Sequence, residues 1–520
     1  MNNINLLDCT LRDGGYINNW NWGFSKAKVI IESLVKANVD IVEVGFLRNV
    51  VSYNKDVTVC NRIEELARLL PEYKSNTIFS AMAMHSNYDI NKLSEKRDCG
   101  VDMIRITAHD YDIKEGLEFA KKVKEKGYML SINPINIMGY SDEQILWIIE
   151  QINQIMPYQF SIVDTFGSMK RKDMDRIVRL VDHNLDTSIR IGLHLHENIA
   201  QSFSLAQEFI EKHLNRVVTV DASLMGMGRI PGNLSIELIA EYLNENYGKN
   251  YELDYMMDSI HDYIEPIKRK EPWGYTPTYF LSAKYNLHRN YAEFYLNKGD
   301  LTTRDINHIL ARVTKEKRTA FDPTYAESLY VNYQNNKIDD LEDRKKLVNI
   351  FQGRKILIIA PGKNIQYEKA KIDEYIVQNH PVIISLNFIP EEFNVDFAFF
   401  SNSKRLAKVK NYKCKIISTS NLDMSESTFR IDYNSISGAF RQGCNSLILL
   451  LRLLEQLGIK KIELAGADGY KYGEKNYYKS SLVSESQHDR EFNQEVGKAL
   501  KGLTMDITFI TTTEYEKYFS

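Results

Sequence analysis

Long apolar runs are missing from this sequence. No stretch approaches the ~20 consecutive apolar residues that a membrane-spanning helix requires, so no span is expected. Cysteine is scarce: Cys9, Cys60, Cys99, Cys414 and Cys444 are scattered through 520 residues. Their odd number and the lack of a CxxC pair argue against a disulfide framework or a cysteine-built zinc site, and fit free thiols in a reducing compartment. An excess of one charge is missing too. The 66 Lys plus Arg nearly balance 69 Asp plus Glu, which gives no indication of nucleic acid or a membrane surface as a partner. The start, Met1-Asn2-Asn3-Ile4-Asn5, lacks the basic-then-apolar build of a secretory signal. There are no internal repeats or low-complexity tracts. What remains is ordinary for a soluble globular protein, 43% apolar and 26% charged, and the length calls for two or three domains. The expected location is cytoplasmic.

From Ile4 to about Gly248, short β-branched runs alternate with helical stripes. Ile4 to Cys9 reads as a strand. Ala27, Ile30, Ile31, Leu34 and Val35 then share one helical face, with Asn38 as a stop. Val39 to Gly45 reads as a second strand, followed by a stripe of Ile63, Leu66, Ala67 and Leu70 that Pro71 ends. Further strands are expected to begin near Thr77, Asp102, Tyr128, Phe160, Ser188 and Val217, and a last helix near Ser235. A doubly wound open sheet would give the same alternation, but a count of eight units favours an α/β fold of the (β/α)8 TIM-barrel type, whose functional groups sit at strand C-terminal ends. We therefore expect a barrel over 1–248, a helical appendage over its mouth at 249–350, where Tyr and Lys become frequent, and a separate Rossmann-like α/β domain over 351–520.

Chemistry enters with Ile189-Arg190-Ile191-Gly192-Leu193-His194-Leu195-His196. Strict alternation puts His194 and His196 on one face of a strand, about 7 Å apart along it. Two hydrogen-bonded histidines at a strand end are the plainer interpretation of such a pair taken alone. Asp13, in Leu11-Arg12-Asp13-Gly14, follows the first strand, which lies beside the seventh and eighth once a barrel closes. Two imidazoles and one carboxylate leave open positions on a divalent metal. Asp13-Gly14 alone could equally be a turn. A third feature, Leu224-Met225-Gly226-Met227-Gly228-Arg229-Ile230-Pro231-Gly232-Asn233, follows the eighth strand. It allows a tight loop near a ligand, a flexible barrel loop, or a phosphate site.

Asp8-Cys9-Thr10-Leu11-Arg12-Asp13-Gly14, Asp164-Thr165-Phe166-Gly167, His194-Leu195-His196-Glu197-Asn198 and Gly226 through Asn233, in this order, resemble the DRE-TIM metallolyase (HMGL-like, pyruvate carboxyltransferase domain) superfamily over about residues 1–245. That superfamily includes HMG-CoA lyase, isopropylmalate synthase and 4-hydroxy-2-oxovalerate aldolase. Val220 to Leu224 and Ile104 to His109 look most like the aldolases, and the cysteine-bearing glycine loop of HMG-CoA lyase is absent, Arg229-Ile230-Pro231 standing there instead. The resemblance implies that Asp13, His194 and His196 hold Mn2+ or Mg2+, with Asn233 a further ligand or a supporting group. It implies that a pyruvate-like 2-oxo acid chelates the metal and that Arg12 donates to the oxygen that becomes an enolate. Where the resembling aldolases have a histidine three residues after the metal-binding aspartate, this chain has Tyr16. A phenol is a poor base near neutral pH unless cations surround it. Tyr279, in a segment similar to the aldolases' C-terminal tyrosine, is a second candidate, and His109 a substrate-orienting one.

In the C-terminal region, Lys355 to Ala360, Val382 to Leu386, Phe397 to Phe400, Lys415 to Ser418 and Lys461 to Ala465 read as strands, with helices over Ile365 to Gln378 and Cys444 to Leu457. Ser437-Gly438-Ala439 and Lys461 through Tyr470 resemble bacterial sialyltransferase-type and motility-accessory glycosyltransferase domains. That implies a nucleotide or nucleotide-sugar partner, with the helix after Lys355 to Asn364 offering its N-terminus to phosphate. No GxGxxG supports NAD. A module used only for assembly, in a homo-oligomer or otherwise, is the alternative. Three functions thus stand open: a metal-dependent aldolase acting on a 2-oxo-4-hydroxy acid and an aldehyde, in surface-polysaccharide sugar synthesis; an acyl-CoA lyase or Claisen-type synthase; or glycosyl transfer by the C-terminal domain, with the barrel as scaffold.

Overall fold

The computed structural model describes residues 3–518 except 74–75, 97–99, 230, 336, 410–411, 423–426, 438–444, 472–475, 480–481 and 483–489. Cys99, Ile230, Gly438, Ala439 and Cys444 therefore lie outside the described residues. The chain divides into two compact units, one of residues 1–289 with 314–321 and one of 290–313 with 322–520. Regular elements of the segment 249–350 are helical throughout, and its residues are shared between the units.

The first unit is a closed barrel of eight parallel strands: β1 (Ile4–Asp8), β2 (Ile41–Leu47), β3 (Ile78–Met84), β4 (Met103–Ala108), β5 (Met129–Pro134), β6 (Gln159–Asp164), β7 (Arg190–Leu195) and β8 (Val218–Ala222). Each pairs with its sequence neighbours, and β1 closes the ring against both β8 (Ile4 opposite Val218) and β2 (Leu7 opposite Ile41). The helical stripes expected from the sequence are the faces that pack on it. In Phe24–Lys36 the buried residues are Ala27, Ile30, Ile31, Leu34 and Val35, and Asn38 leaves the helix at φ 60°. Period-two alternation divides the strands. Leu6, Val44, Ile104, Ile132, Ile162, Leu193 and Val220 belong to the apolar layer beneath the helices. The intervening positions include buried Glu43, Ser80, Arg105, Ser131, Asn133, Ser161, Thr219 and Asp221, so this barrel has a polar interior. The β2 register shifts between Glu43 and Phe46. There, a Cβ on Gly45 would lie 2.3 Å from the Thr58 carbonyl, beside the two-residue strand Val59–Cys60 that pairs with β2.

The second unit is an open sheet of seven parallel strands: β9 (Ile356–Ile359), β10 (Val382–Leu386), β11 (Phe397–Phe400), β12 (Lys415–Thr419), β13 (Phe429–Ile431), β14 (Lys461–Ala465) and β15 (Asp506–Phe509). Their order is β13-β12-β11-β10-β9-β14-β15, the Rossmann-like arrangement, which reverses direction between β9 and β14. The apolar helix expected from Cys444 runs over Ser446–Gln456, with Asn445 capping the Leu447 and Ile448 amides. The turn after β9 departs from expectation. The helix expected over Ile365 to Gln378 forms as two pieces, Asn364–Tyr367 and Lys369–Asn379, and at the start of the first the Asn364 N–H donates to Asp468 Oδ2 at 2.8 Å instead of being left for a phosphate. The protein's own carboxylate fills that position.

Candidate metal centre

Asp13 owes its position to a single π-helical turn, Thr10–Gly14, directly after β1. The Asp13 N–H donates to the Cys9 carbonyl at 2.8 Å. Asp8 at the end of β1 accepts from the Thr10 amide (2.9 Å) and hydroxyl (2.7 Å), and Thr10 Oγ1 in turn accepts from the Leu224 amide after β8. Burial pushes the Asp8 carboxyl up to about 7 despite those donors. Two indoles fix the turn from outside: Trp20 Nε1 donates to the Arg12 carbonyl (2.7 Å) and Trp22 Nε1 to that of Leu11 (3.2 Å). Gly15 is required because a Cβ there would stand 2.1 Å from the Trp20 ring.

His194, the penultimate residue of β7, faces the cavity, and His196 follows the strand in a bridge with Asn233. Their rings lie 4.9 Å apart at 79°. His194 Nδ1 faces Asp221 Oδ2 at 3.2 Å, and His196 Nδ1 faces the Asp164 carbonyl at 3.0 Å. An acceptor on each Nδ1 assigns the proton there and leaves each Nε2 lone pair for a ligand. His196 Nε2 is 3.8 Å from Asp13 Oδ2, and ligand atoms of Asp13, His194 and His196 all lie within 4.8 Å of one another. Three buried donors of this kind, two imidazoles and one carboxylate with both outer nitrogens already satisfied, fit a divalent cation.

The electrostatics agree. Burial opposes ionisation of Asp13, but Arg12, His196, His194 and the Asn233 hydrogen bond outweigh it and hold the carboxyl well below its usual range. Burial, followed by the His194 charge, pushes His196 down to about 4, so it is neutral at physiological pH. An unfolded imidazole takes its proton near 6.5, so between about 6.5 and 4 the unfolded chain binds the extra proton and the folded state loses stability as pH falls. Urea unfolding in EDTA should show His196 costing about 2 kcal/mol between about pH 7 and pH 5, and His196→Gln should remove that part of the slope. An unchanged slope would contradict a neutral buried imidazole.

Behind these three side chains runs a chain of buried ions. Arg12 donates from Nη1 to Asp13 Oδ1 (2.5 Å) and from Nε to Glu43 Oε2 (2.7 Å). Arg105 lies 3.2 Å from the same Glu43 oxygen and pairs with Asp221, which holds His194. Asn233 donates from Nδ2 to Asp13 Oδ2 (2.8 Å) and to the Met227 carbonyl (3.3 Å), while its Oδ1 is buried with no hydrogen-bond partner among the described residues. The glycine loop makes this possible: Gly226 (φ +61°) accepts from the Asn233 amide, and a Cβ on Gly228 would lie 2.3 Å from Asn233 Nδ2.

Arg12, Asp13, Tyr16, His194 and His196 line one cavity at the C-terminal ends of the strands, together with Arg229 and the apolar wall of Phe46, Met82 and Met84. The Tyr16 oxygen accepts from Arg48 Nη2 (3.2 Å), and the Arg229 guanidinium lies 5.5 Å from its ring. A second compartment, lined by Phe166, Asn198, Leu287, His288 and Arg289, adjoins it at Thr165, His196 and Arg229. Three expected residues line neither: Asn233, which stands behind Asp13, and His109 and Tyr279. His109 stacks on Tyr111 and its amide donates to Asp112 Oδ1 at 2.6 Å. Tyr279 offers its carbonyl to Asn198 Nδ2 at 3.3 Å. Glu43, Arg105, Asp221 and Arg48 were missed. The available signal was a lone charge inside an apolar strand, as in Ile41-Val42-Glu43-Val44, Ile104-Arg105-Ile106 and Val220-Asp221-Ala222.

Residues 3–262 match the HMGL-like family. Over 252 residues the chain is 24% identical to a 4-hydroxy-2-oxovalerate aldolase from Geobacillus genomosp. 3, covering 46% of this chain and 70% of that protein. Over 238 residues it is 23% identical to an oxaloacetate decarboxylase from Mycobacterium tuberculosis, covering 46% and 69%. A solved hydroxymethylglutaryl-CoA lyase from Pseudomonas aeruginosa is similar at 16% identity over 50% of this chain and 90% of its own, with a TM-score of 0.41.

Proposed function

This chain belongs to the HMGL-like family, and from that premise we propose that it is a divalent-metal-dependent aldolase, making or breaking the bond between C3 and C4 of a 2-oxo-4-hydroxy acid. The observation that carries this is the buried convergence of Asp13, His194 and His196. Those three would hold Mn2+ or Mg2+, and the cation's contribution when bound is Lewis acidity toward the carboxylate and ketone oxygens of a pyruvate-like unit. Charge supports the substrate class. Arg12 and Arg105 against Asp13, Glu43 and Asp221 leave one negative charge in the buried network. A dication with a monoanionic 2-oxo acid brings it to zero, whereas a neutral ligand would leave one buried positive charge uncompensated.

Arg12 has two functions in this reading. Nε and Nη1 hold Glu43 and Asp13, and the remaining donors face the cavity, where the ketone oxygen gains charge as the carbon–carbon bond breaks. Tyr16 handles the proton on the 4-hydroxyl. Its oxygen accepts from a guanidinium, so its own O–H is left to donate into the cavity during synthesis, and the same oxygen takes the proton back in cleavage. Asn233 and Asp221 orient ligands. Asp221→Asn should weaken Mn2+ binding by about 10–100-fold, measured by direct titration under conditions where circular dichroism shows the variant folded. Tyr16→Phe should lower kcat by about 10²–10⁴-fold and leave the KM for the 2-oxo acid nearly unchanged. An equal loss in both would make Tyr16 a binding residue instead. The 4-hydroxy-2-oxovalerate aldolase among its relatives supports the same chemistry. The experiment is chelator-sensitive release of pyruvate from a set of 4-hydroxy-2-oxo acids. Thiol release from acyl-CoA in place of pyruvate release would transfer the activity to the lyases and synthases of the family.

A further inference from the structure

A second built cavity, independent of the metal centre, lies in the open sheet at the C-terminal ends of its strands. It is where β9 and β14 part, the position at which sheets of this kind bind ligands. It is lined by residues after β9 (Ala360, Pro361, Gly362), after β10 (Asn387), after β11 (Asn402, Arg405), at the start of the Ser446 helix, and after β14 (Gly466 to Tyr470).

Its chemistry departs from a dinucleotide site at the first turn. Gly362 bridges to Tyr477, the Asn364 amide is taken by Asp468, and a Cβ on Gly362 would stand 2.4 Å from the Asp468 carboxyl carbon. Among the described residues, the Gly362 and Asn364 amides of that turn are both taken, by the Gly466 carbonyl and by Asp468, and are not left for a pyrophosphate. What faces the cavity instead are two acids, one base, amides and aromatic rings. Asp468 has one oxygen, Oδ1, buried with no hydrogen-bond partner among the described residues, and so does Asp300. Arg405 has no carboxylate partner among the described residues, its Nη1 is buried without a hydrogen bond, and its guanidinium sits 4.8 Å over the Tyr477 ring. Tyr470, Tyr477, Phe492 and Tyr515 form one wall, with the Tyr470 ring 6.2 Å from that of Tyr477 and 5.4 Å from that of Phe492.

Each feature selects something in a ligand. Orphaned carboxylate oxygens accept from hydroxyl groups. An aromatic wall takes the flat face of a ring. A lone guanidinium takes an anion, preferably bidentate and planar. We propose that this crevice binds a small ring carrying vicinal hydroxyls and one phosphate-type anion, a nucleoside monophosphate or a sugar phosphate, with the hydroxyls on Asp468 and the anion on Arg405. It stands apart from the aldolase reading and survives or fails without it.

Isothermal titration of the full-length protein tests it with CMP, UMP, GMP, AMP, hexose phosphates, the free nucleosides, inorganic phosphate and NAD. Saturable binding of one of the phosphorylated rings, at or below about 1 mM, is expected, with the free ring and phosphate alone each at least tenfold weaker (about 1.4 kcal/mol). Which class binds identifies the source. Arg405→Gln and Asp468→Asn should each weaken it about tenfold or more, Tyr477→Leu should weaken the ring ligand but not phosphate, and Asp13→Ala should leave it unchanged. Failure of every phosphorylated ring to saturate, phosphate alone binding as well as the ring ligand, NAD binding more tightly, or binding indifferent to all three crevice substitutions in folded variants would overturn the proposal.

Discussion

Asp13→Ala is expected to abolish both dication binding and carbon–carbon cleavage. The substitution removes one of three ligand groups, but that is only part of its effect. It also strands Arg12 Nη1 and leaves Asn233 Nδ2 with the Met227 carbonyl but without its shorter bond to the carboxylate. With Asp13 gone, the ion chain shifts from one negative charge to none, so a dication would enter a site that no longer attracts it. Loss of a ligand and loss of attraction act in the same direction. We expect kcat/KM for the 2-oxo-4-hydroxy acid to fall by at least about 10³-fold, roughly 4 kcal/mol or more of transition-state stabilisation. Asp13→Asn, which keeps the shape and removes the charge, should be nearly as inactive. Pyruvate release followed by a coupled assay, with near-native circular dichroism as a control, measures this. An active, metal-free Asp13→Ala enzyme would show that the ligand set lies elsewhere.

The largest effect on stability is expected from Arg105→Leu. Arg105 is 1% exposed and lies between Glu43 and Asp221, which are 0% and 1% exposed. It also donates to Asn133 at 3.2 Å. Burial works against its charge, yet the Asp221 and Glu43 charges outweigh that and raise its pKa. Removing it leaves Asp221 with only His194 and Glu43 with only Arg12 as ionic partners among the described residues, with both carboxylates fully buried. Breaking a buried pair from one side costs about 3–5 kcal/mol, far more than the pair contributes when intact. Chemical denaturation should show a loss of that size. The double variant Arg105→Leu/Asp221→Leu should recover part of it, because no charge is then left alone on that side. Equal instability of single and double variants would mean that packing, not charge, makes Arg105 indispensable.

The legible part of this chain is what depends on local periodicity. The buried face of Phe24–Lys36, and the bounds of β10, β11 and β14, follow from local pattern alone, because the helix buries one apolar stripe and the strands are short apolar runs buried on both faces of the sheet. The two short strands β13 and β15 escaped. They are three and four residues long and stand at the sheet's two edges, and in β15 Asp506 and Thr508 are exposed, so no continuous apolar run marks it. The candidate metal-holding group was legible because His194 and His196 alternate on a strand and Asp13 sits after the first one. Their supports were not. Glu43, Arg105 and Asp221 come from three strands distant in sequence, and only the closed barrel makes them neighbours. His109 shows the converse: its position after β4 suggested a substrate contact, but the turn after β4 directs it to Asp112 and Tyr111.

Direct Mn2+ titration of the chelator-stripped full-length protein, followed by electron paramagnetic resonance with and without pyruvate, most directly tests the central claim that Asp13, His194 and His196 together hold one dication for a 2-oxo acid. The expected result is one Mn2+ per chain, lost in each of the three alanine variants, with a spectrum that pyruvate changes in the wild type. Wild-type protein that binds no dication, or binding that survives all three substitutions, would contradict it.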